Sequence, residues 1–199
     1  MDDYKEHLYK RMPQLRNTDE GDLSKQKAIR KLLKCKSFDW FMKTIAFDQD
    51  KYYPAVEPPD SANGTLRNIA AKKCINSDLS PFGLEECEKK HGQLLRFSFW
   101  LDVRQLGSTQ CFDVSTSVHR APIVLFSCHG MQGNQHFKYY ADKKSLFHPV
   151  SNLCLDCDVE AGSVFMSKCD ATKETQQWEW SFLDVKLMNE RNTENKIKK

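Results

Sequence analysis

No stretch of this 199-residue chain approaches the length of an apolar membrane span, and no apolar leader core follows Met1. Charge of one sign is also missing. The net charge of +3 falls far short of the dense basic footprint that a nucleic-acid partner demands. Bias appears only at the end, where Lys186, Arg191, Lys196, Lys198 and Lys199 face Asp184, Glu190 and Glu194 with no sustained apolar face. Residues 183–199 therefore read as a solvated, flexible tail. Regular helical periodicity is absent between 65 and 182. So is a second tight cysteine pair: Cys154-x-x-Cys157 stands alone, whereas structural zinc sites favour two such pairs.

Two compositional halves remain. Residues 1–46 are helical in pattern. Tyr4, Leu8 and Met12 lie four apart. Asp22 or Ser24 is placed to cap a helix carrying Ala28, Ile29, Leu32 and Leu33, and Phe38, Phe41, Met42 and Ile45 follow along one face. A chain that opens inside an amphipathic helix is expected to be part of a larger protein. Residues 47–64 hold Pro54, Pro58 and Pro59 with little periodicity and read as a semi-extended linker. Asn63-Gly-Thr65, at its end, is an N-glycosylation sequon that matters only in a secretory chain. From 65 to 182, small clusters such as IVLF, FKYY and WEWSF alternate with Gly, Asn, Asp and Ser turns. Many short strands in a closed or nearly closed all-β unit are predicted.

That unit repeats. Cys111-Phe-Asp113 is followed by Cys128 and then Gln135-His-Phe137; Cys154-Leu-Asp156 is followed by Cys169 and then Gln176-Gln-Trp178. A worn copy upstream has Cys74-Ile-Asn76, Cys87 and, after a short insertion, Leu95-Arg-Phe97. Three copies of about forty residues fit a pseudo-threefold β unit, because one copy alone cannot bury its apolar side. The repeat pairs Cys74 with Cys87, Cys111 with Cys128, and Cys154 with Cys169. In the loop-entropy model each bridge contributes roughly 3 kcal/mol, and bridging implies an oxidising compartment. Cys35 and Cys157 are left over. The rival reading groups Cys154, Cys157, Cys169 and His148 around zinc. Gln135 and Gln176 read as structural, and Phe97, Phe137 and Trp178 as core.

Cys-x-Asp, Cys and Gln-x-Trp/Phe, recurring in order, resemble the ricin B-type lectin domain, a β-trefoil. The segments GDLSKQKAIRKLLKCKSFDWFM and YYPAVEPP resemble the end of the catalytic domain and the linker of polypeptide N-acetylgalactosaminyltransferases. The resemblance implies a mainly β fold: a β-trefoil over 65–182, preceded by a helical remnant (1–46) and a Pro-rich linker (47–64). It also implies a Golgi-lumen setting and a subgroup that prefers peptides already glycosylated. The family's chemistry uses UDP-GalNAc and Mn²⁺ held by an Asp-x-His motif plus a further histidine. No Asp-x-His occurs in this sequence, so no catalytic or metal residue carries over. The chain as it stands is expected to be inactive as a transferase, with an upstream catalytic domain as its partner.

A galactose-type sugar needs a carboxylate for two adjacent hydroxyls, an aromatic face for the apolar side of the ring, and an amide or imidazole for the remaining hydroxyl. By resemblance these groups are the Asp of Cys-x-Asp, the residue two before the second Cys, the one just after it, and the one before the Gln. The middle copy fills all four positions with Asp113, Phe126, His129 and Asn134. The third has Asp156, Ser167, Asp170 and Thr175; the first has Asn76 for the acid and Glu88 after its second Cys. One pocket, binding GalNAc-bearing glycopeptides, is expected in the middle copy. Taken singly, Asp113 and Asn134 also suit turn-stabilising roles, and the alternative function is that of a non-binding remnant. Gly130-x-x-Gly133 is not read as an RNA clamp, since such a loop joins helices on a basic surface.

Overall fold

The computed structural model describes residues 4–49, 53–54 and 56–194. The linker expectation at 50–52 and 55, and the tail expectation at 195–199, lie outside the described residues. The chain divides into two units, Met1–Pro58 and Pro59–Lys199.

The first unit is helical. It contains α1 (Lys5–Arg11), a 3₁₀ turn (Pro13–Asn17), α2 (Ser24–Leu32) and α3 (Phe38–Thr44). Asp22 accepts the backbone N–H of Ser24 at 2.9 Å at the start of α2, and the Ser37 hydroxyl accepts Trp40 N–H at 3.0 Å to cap α3. No residue of these three helices is buried, and Leu32 is 81% exposed. The apolar positions expected to form a face thus have no core of their own within this unit.

The second unit is built of twelve strands, four to a copy. The first copy holds β1 (Ala62–Asn68), β2 (Cys74–Asn76), β3 (Gly83–Glu85) and β4 (Leu95–Phe97). The second holds β5 (Val103–Gln105), β6 (Gln110–Asp113), β7 (Val124–Ser127) and β8 (Lys138–Tyr140). The third holds β9 (Ser145–His148), β10 (Leu153–Asp158), β11 (Ser163–Lys168) and β12 (Trp178–Leu183). In every copy the second and third strands form an antiparallel hairpin. The fourth strand pairs with the first strand of the next copy: β4 with β5, β8 with β9, and β12 back onto β1. That last pairing, with Leu66 opposite Trp180, brings the third copy back onto the first. The fold is a β-trefoil.

Burial follows the repeat. The residue between Cys and Asp or Asn in each copy, Ile75, Phe112 and Leu155, is fully buried. So is the residue two after the glutamine: Leu95, Phe137 and Trp178. Trp178 satisfies its indole N–H on the Leu155 carbonyl at 3.0 Å. The three hairpins meet through Leu84 N–H to Gly162 O (2.8 Å) and Met166 N–H to Ala121 O (2.8 Å), and Phe82 packs edge-on against Phe112 at 4.9 Å. The three disulfides are the expected ones, with Cα–Cα distances of 5.1, 5.0 and 5.0 Å for 74–87, 111–128 and 154–169. The zinc reading fails on this pairing: Cys154 and Cys169 are bonded to each other and offer no thiolate. Cys157 is free and buried, and burial first, then Asp156 and Asp158, push its thiol up to about 12.

Three expectations need correction. The β unit starts at Ala62, so the sequon lies in a strand and not in the linker: Asn63 is opposite Phe182 on one side and Arg96 on the other. The first copy's counterpart of Gln-x-aromatic is Gln93-Leu-Leu95, not Leu95-Arg-Phe97. Gln93 ends a 3₁₀ turn (His91–Gln93), as Gln135 and Gln176 end theirs. Finally, the presumed flexible tail contains a packed helix, α4 (Val185–Glu194). Asp184 caps it by accepting Leu187 N–H at 2.9 Å. Met188 is fully buried, Arg191 donates to the Pro59 carbonyl and lies over the Phe99 ring, and Asn192 donates to Tyr139 O at 2.8 Å.

Truncating a buried Met typically costs about 2–5 kcal/mol. Met188→Ala is therefore expected to lower the unfolding free energy of the second unit by an amount within that range, read as a lower urea midpoint. A midpoint equal to wild type would show that α4 does not contribute to stability.

Candidate functional site

The site is organised by a glutamine. In every copy the side-chain amide spans the second cysteine. Its Nε2 donates to the carbonyl just before that cysteine: Gln93 to Glu86 (2.7 Å), Gln135 to Ser127 (3.1 Å) and Gln176 to Lys168 (2.9 Å). Its Oε1 accepts the N–H just after it: from Glu88 (2.9 Å), His129 (3.2 Å) and Asp170 (2.8 Å). The buried amide is thus satisfied at both ends, and the loop behind the cysteine is fixed.

In the middle copy the clamp gathers all four predicted residues. Gln135 Nε2 also donates to Asp113 Oδ2 at 3.2 Å. Asp113, at the end of β6, is 8% exposed, yet among the described residues its Oδ1 has no hydrogen-bond partner. Asp113 lies opposite Val124, and Cys111 opposite Phe126. Cross-strand partners share a face, so Asp113 and Phe126 are diagonal neighbours on one side of the hairpin. The Phe126 ring is 61% exposed. His129 is also exposed, and its Nδ1 accepts Met131 N–H at 3.0 Å. In the neutral ring this leaves the proton on Nε2, a donor with no partner among the described residues. Asn134 presents an exposed side chain, while its carbonyl is pinned by Val114 N–H at 2.9 Å and His148 Nε2 at 3.1 Å.

The other copies keep the clamp and lose the opening. In the third, Asp156 Oδ2 takes Ser167 Oγ (2.6 Å) and Gln176 Nε2 (2.9 Å), and Oδ1 takes Cys157 N–H (2.8 Å). Burial pushes this carboxyl up, but those bonds outweigh it and hold it below the usual carboxylate range. Ser167 stands where Phe126 stands, opposite Cys154. In the first copy, Asn76 Nδ2 donates to Glu85 Oε2 at 2.8 Å and its Oδ1 accepts Asp78 N–H at 3.0 Å. An open carboxylate oxygen, an exposed aromatic face and amide or imidazole donors therefore coincide in the middle copy.

Sequence reasoning missed two residues near this site. His148 is fully buried on β9, a strand of the third copy, and fixes the Asn134 loop; its only signal was its place in the rejected zinc set. Trp100 flanks the following loop. Gly130 has φ +65°, and a Cβ there would meet the Trp100 ring at 3.2 Å. No repeat feature marks Trp100.

Two histidines here are held neutral. His136 is lowered to about 4 by burial, then by Lys138 and His148. His148 is lowered by burial, against the raising effect of the Asn134 and Gly133 carbonyls and of Asp113. Its Nδ1 lies 2.8 Å from Ser151 Oγ and accepts Ser151 N–H at 3.2 Å, and protonation would cost the second of these bonds. Folded values below the unfolded value of about 6.5 mean that the unfolded chain takes up protons first on acidification. Stability from His136 is complete above about pH 6.5 and is lost as pH falls toward about 4, and that from His148 is lost in the same direction. The melting temperature is expected to fall across that window, and less so in His136→Gln. Parallel profiles for the two proteins would reject the assignment.

The model of the family described as "Ricin-type beta-trefoil lectin domain" matches residues 62–178. The mouse polypeptide N-acetylgalactosaminyltransferase 10 is 42% identical over 194 residues, covering 89% of this chain and 32% of its own. Among solved structures, GalNAc-T7 with UDP, GalNAc and Mn²⁺ aligns with a TM-score of 0.56 at 28% identity, over 92% of this chain and 33% of its own. A bitter-gourd homologue of type II RIPs, in complex with α-methyl-D-galactoside, shares the fold at a TM-score of 0.52 and 20% identity, over 62% of this chain and 49% of its own. The chain spans about a third of the length of the transferases it matches.

Proposed function

We propose, for a chain that belongs to the ricin-type β-trefoil lectin domain family, a carbohydrate-binding role: recognition of N-acetylgalactosamine on O-glycosylated peptides through the middle copy. One observation carries this reading. Asp113 keeps a carboxylate oxygen open beside an exposed Phe126 ring, whereas Asp156 spends both oxygens inside the protein. Asp113 accepts hydrogen bonds from two adjacent sugar hydroxyls, Phe126 covers the apolar side of the ring, and His129 and Asn134 serve the remaining hydroxyl and the acetamido group.

In the whole protein this module works beside a catalytic domain that transfers GalNAc from UDP-GalNAc to Ser or Thr with Mn²⁺, in mucin-type O-glycosylation in the Golgi lumen. The similarity to N-acetylgalactosaminyltransferases along most of the chain supports that setting. The transfer itself is assigned to the upstream domain and not to this chain. Asn63 is exposed on β1 and carries an N-glycan if the chain passes through the secretory route. Single-site sugar contacts are weak, and a millimolar constant is only about −4 kcal/mol. Tethering makes this sufficient, because the second contact becomes intramolecular.

The test is titration of the chain with a GalNAc-glycopeptide, followed by NMR. Asp113→Asn is expected to weaken binding at least about tenfold, since it removes a charge-assisted acceptor, while Asp156→Asn leaves it within about twofold. The reverse pattern would move the site to the third copy. Equal binding by all three proteins would remove it from both acids.

A further inference from the structure

A second concavity lies apart from the middle-copy pocket. It is a groove of about 440 Å³ between the β8–β9 hairpin and the loop after Cys169, and none of Asp113, Phe126, His129 and Asn134 lines it. Its apolar surface includes Tyr140 and Phe147, whose rings lie 6.2 Å apart and tilted by 38°. Its charges are uneven: Lys143, Lys168 and Lys173 line it against the single acid Asp170.

That acid is already engaged. Asp170 Oδ1 accepts Thr172 N–H at 3.0 Å and Thr172 Oγ at 2.6 Å, and these bonds hold its carboxyl below the usual range. Lys173 attracts the same carboxylate without closing an ion pair, so the groove keeps a net positive charge. Among the described residues neither Lys168 nor Lys173 makes an ion pair, and Lys143 Nζ sits over the Tyr140 ring at 5.9 Å. Neighbouring Lys144 differs: it is paired to Glu179 at 2.5 Å.

We propose that this groove binds an acidic peptide segment. The three ammonium groups stand on three separate stretches, namely the β8–β9 turn, the end of β11 and the loop beyond it. A groove that offers three cations together with a ring pair and two amides suits a chain carrying several carboxylates better than a single sulfate or sugar acid, which would leave the rings and amides unused. The paired rings supply an apolar floor for intervening side chains. Asn152 and Gln177 add amides that match peptide backbone groups in both donor and acceptor sense. The groove does not depend on the sugar pocket, so either site stands if the other fails.

The experiment titrates the full chain with a short peptide rich in glutamate, and with the same peptide carrying glutamine instead, followed by NMR. Saturable shifts confined to Lys143, Lys168, Lys173, Tyr140 and Asn152 are expected. Affinity is expected to drop at least about tenfold for the glutamine peptide, and to fall as salt rises from about 50 to about 300 mM. Lys168→Glu with Lys173→Glu should abolish these shifts and leave GalNAc-glycopeptide binding within about twofold; Lys168→Gln with Lys173→Gln should give an intermediate loss. Equal binding of both peptides, no saturable shift, or shifts produced by sialic acid or a sulfated sugar but not by the peptide would overturn the proposal.

Discussion

The amide of one glutamine per copy is the constraint on which the rest of the trefoil depends. Gln93, Gln135 and Gln176 each bridge the carbonyl before the second cysteine and the N–H after it. All three are buried. A buried primary amide left without partners costs about 1–3 kcal/mol, so the surrounding loop is obliged to present those backbone groups. The disulfide reinforces the same point, because the bonded cysteine lies inside the span. Two residues further on, Leu95, Phe137 and Trp178 enter the core. One side chain therefore couples the covalent staple, the loop that borders each site and the apolar centre.

The same amide also sets the state of the acid. In the middle and third copies its second N–H holds an aspartate oxygen, Asp113 Oδ2 or Asp156 Oδ2. What differs is the hairpin neighbour. With Ser167 opposite Cys154, a hydroxyl reaches Asp156 and the carboxylate closes on itself. With Phe126 at the same register, no hydroxyl is present to do so. One substitution thus removes an internal donor and supplies a ring. In the first copy the acid has become Asn76, whose donor turns across the hairpin to Glu85. Divergence among the copies is local, and the clamp survives it.

This explains what was legible. The six bridging cysteines, the threefold β architecture and the four residues brought together in the middle copy follow from repeated spacing, because spacing reflects the clamp. The first copy was misaligned for a physical reason. Its core position holds Leu95, so an aromatic search slid on to Phe97, which is also buried but belongs to the next inward step of β4. The interval from Cys87 to Gln93 is also one residue shorter than in the other copies. Helix α4 was unreadable by periodicity because its anchors are mostly polar: Asp184 caps it, and Arg191 and Asn192 bind carbonyls on the trefoil. Burial of an arginine over Phe99 leaves no apolar stripe to detect. Trp100 was missed because its role comes from loop packing against Gly130, which no repeat encodes.

His148 shows why the copies do not act as independent modules. It belongs to the third copy by sequence, but its Nε2 holds the carbonyl of Asn134 in the second. That carbonyl also receives Val114 N–H, next to Asp113. The amide side chain of Asn134 and the carboxylate of Asp113 are therefore referred to one fixed oxygen, and that oxygen is set by a strand across the copy boundary. A neutral imidazole suits the task, since it donates from Nε2 while Nδ1 accepts from Ser151. A charged ring would lack the acceptor and carry an added desolvation cost at a fully buried position. The geometry of the middle-copy site thus depends on a residue of the third copy as well as on its own.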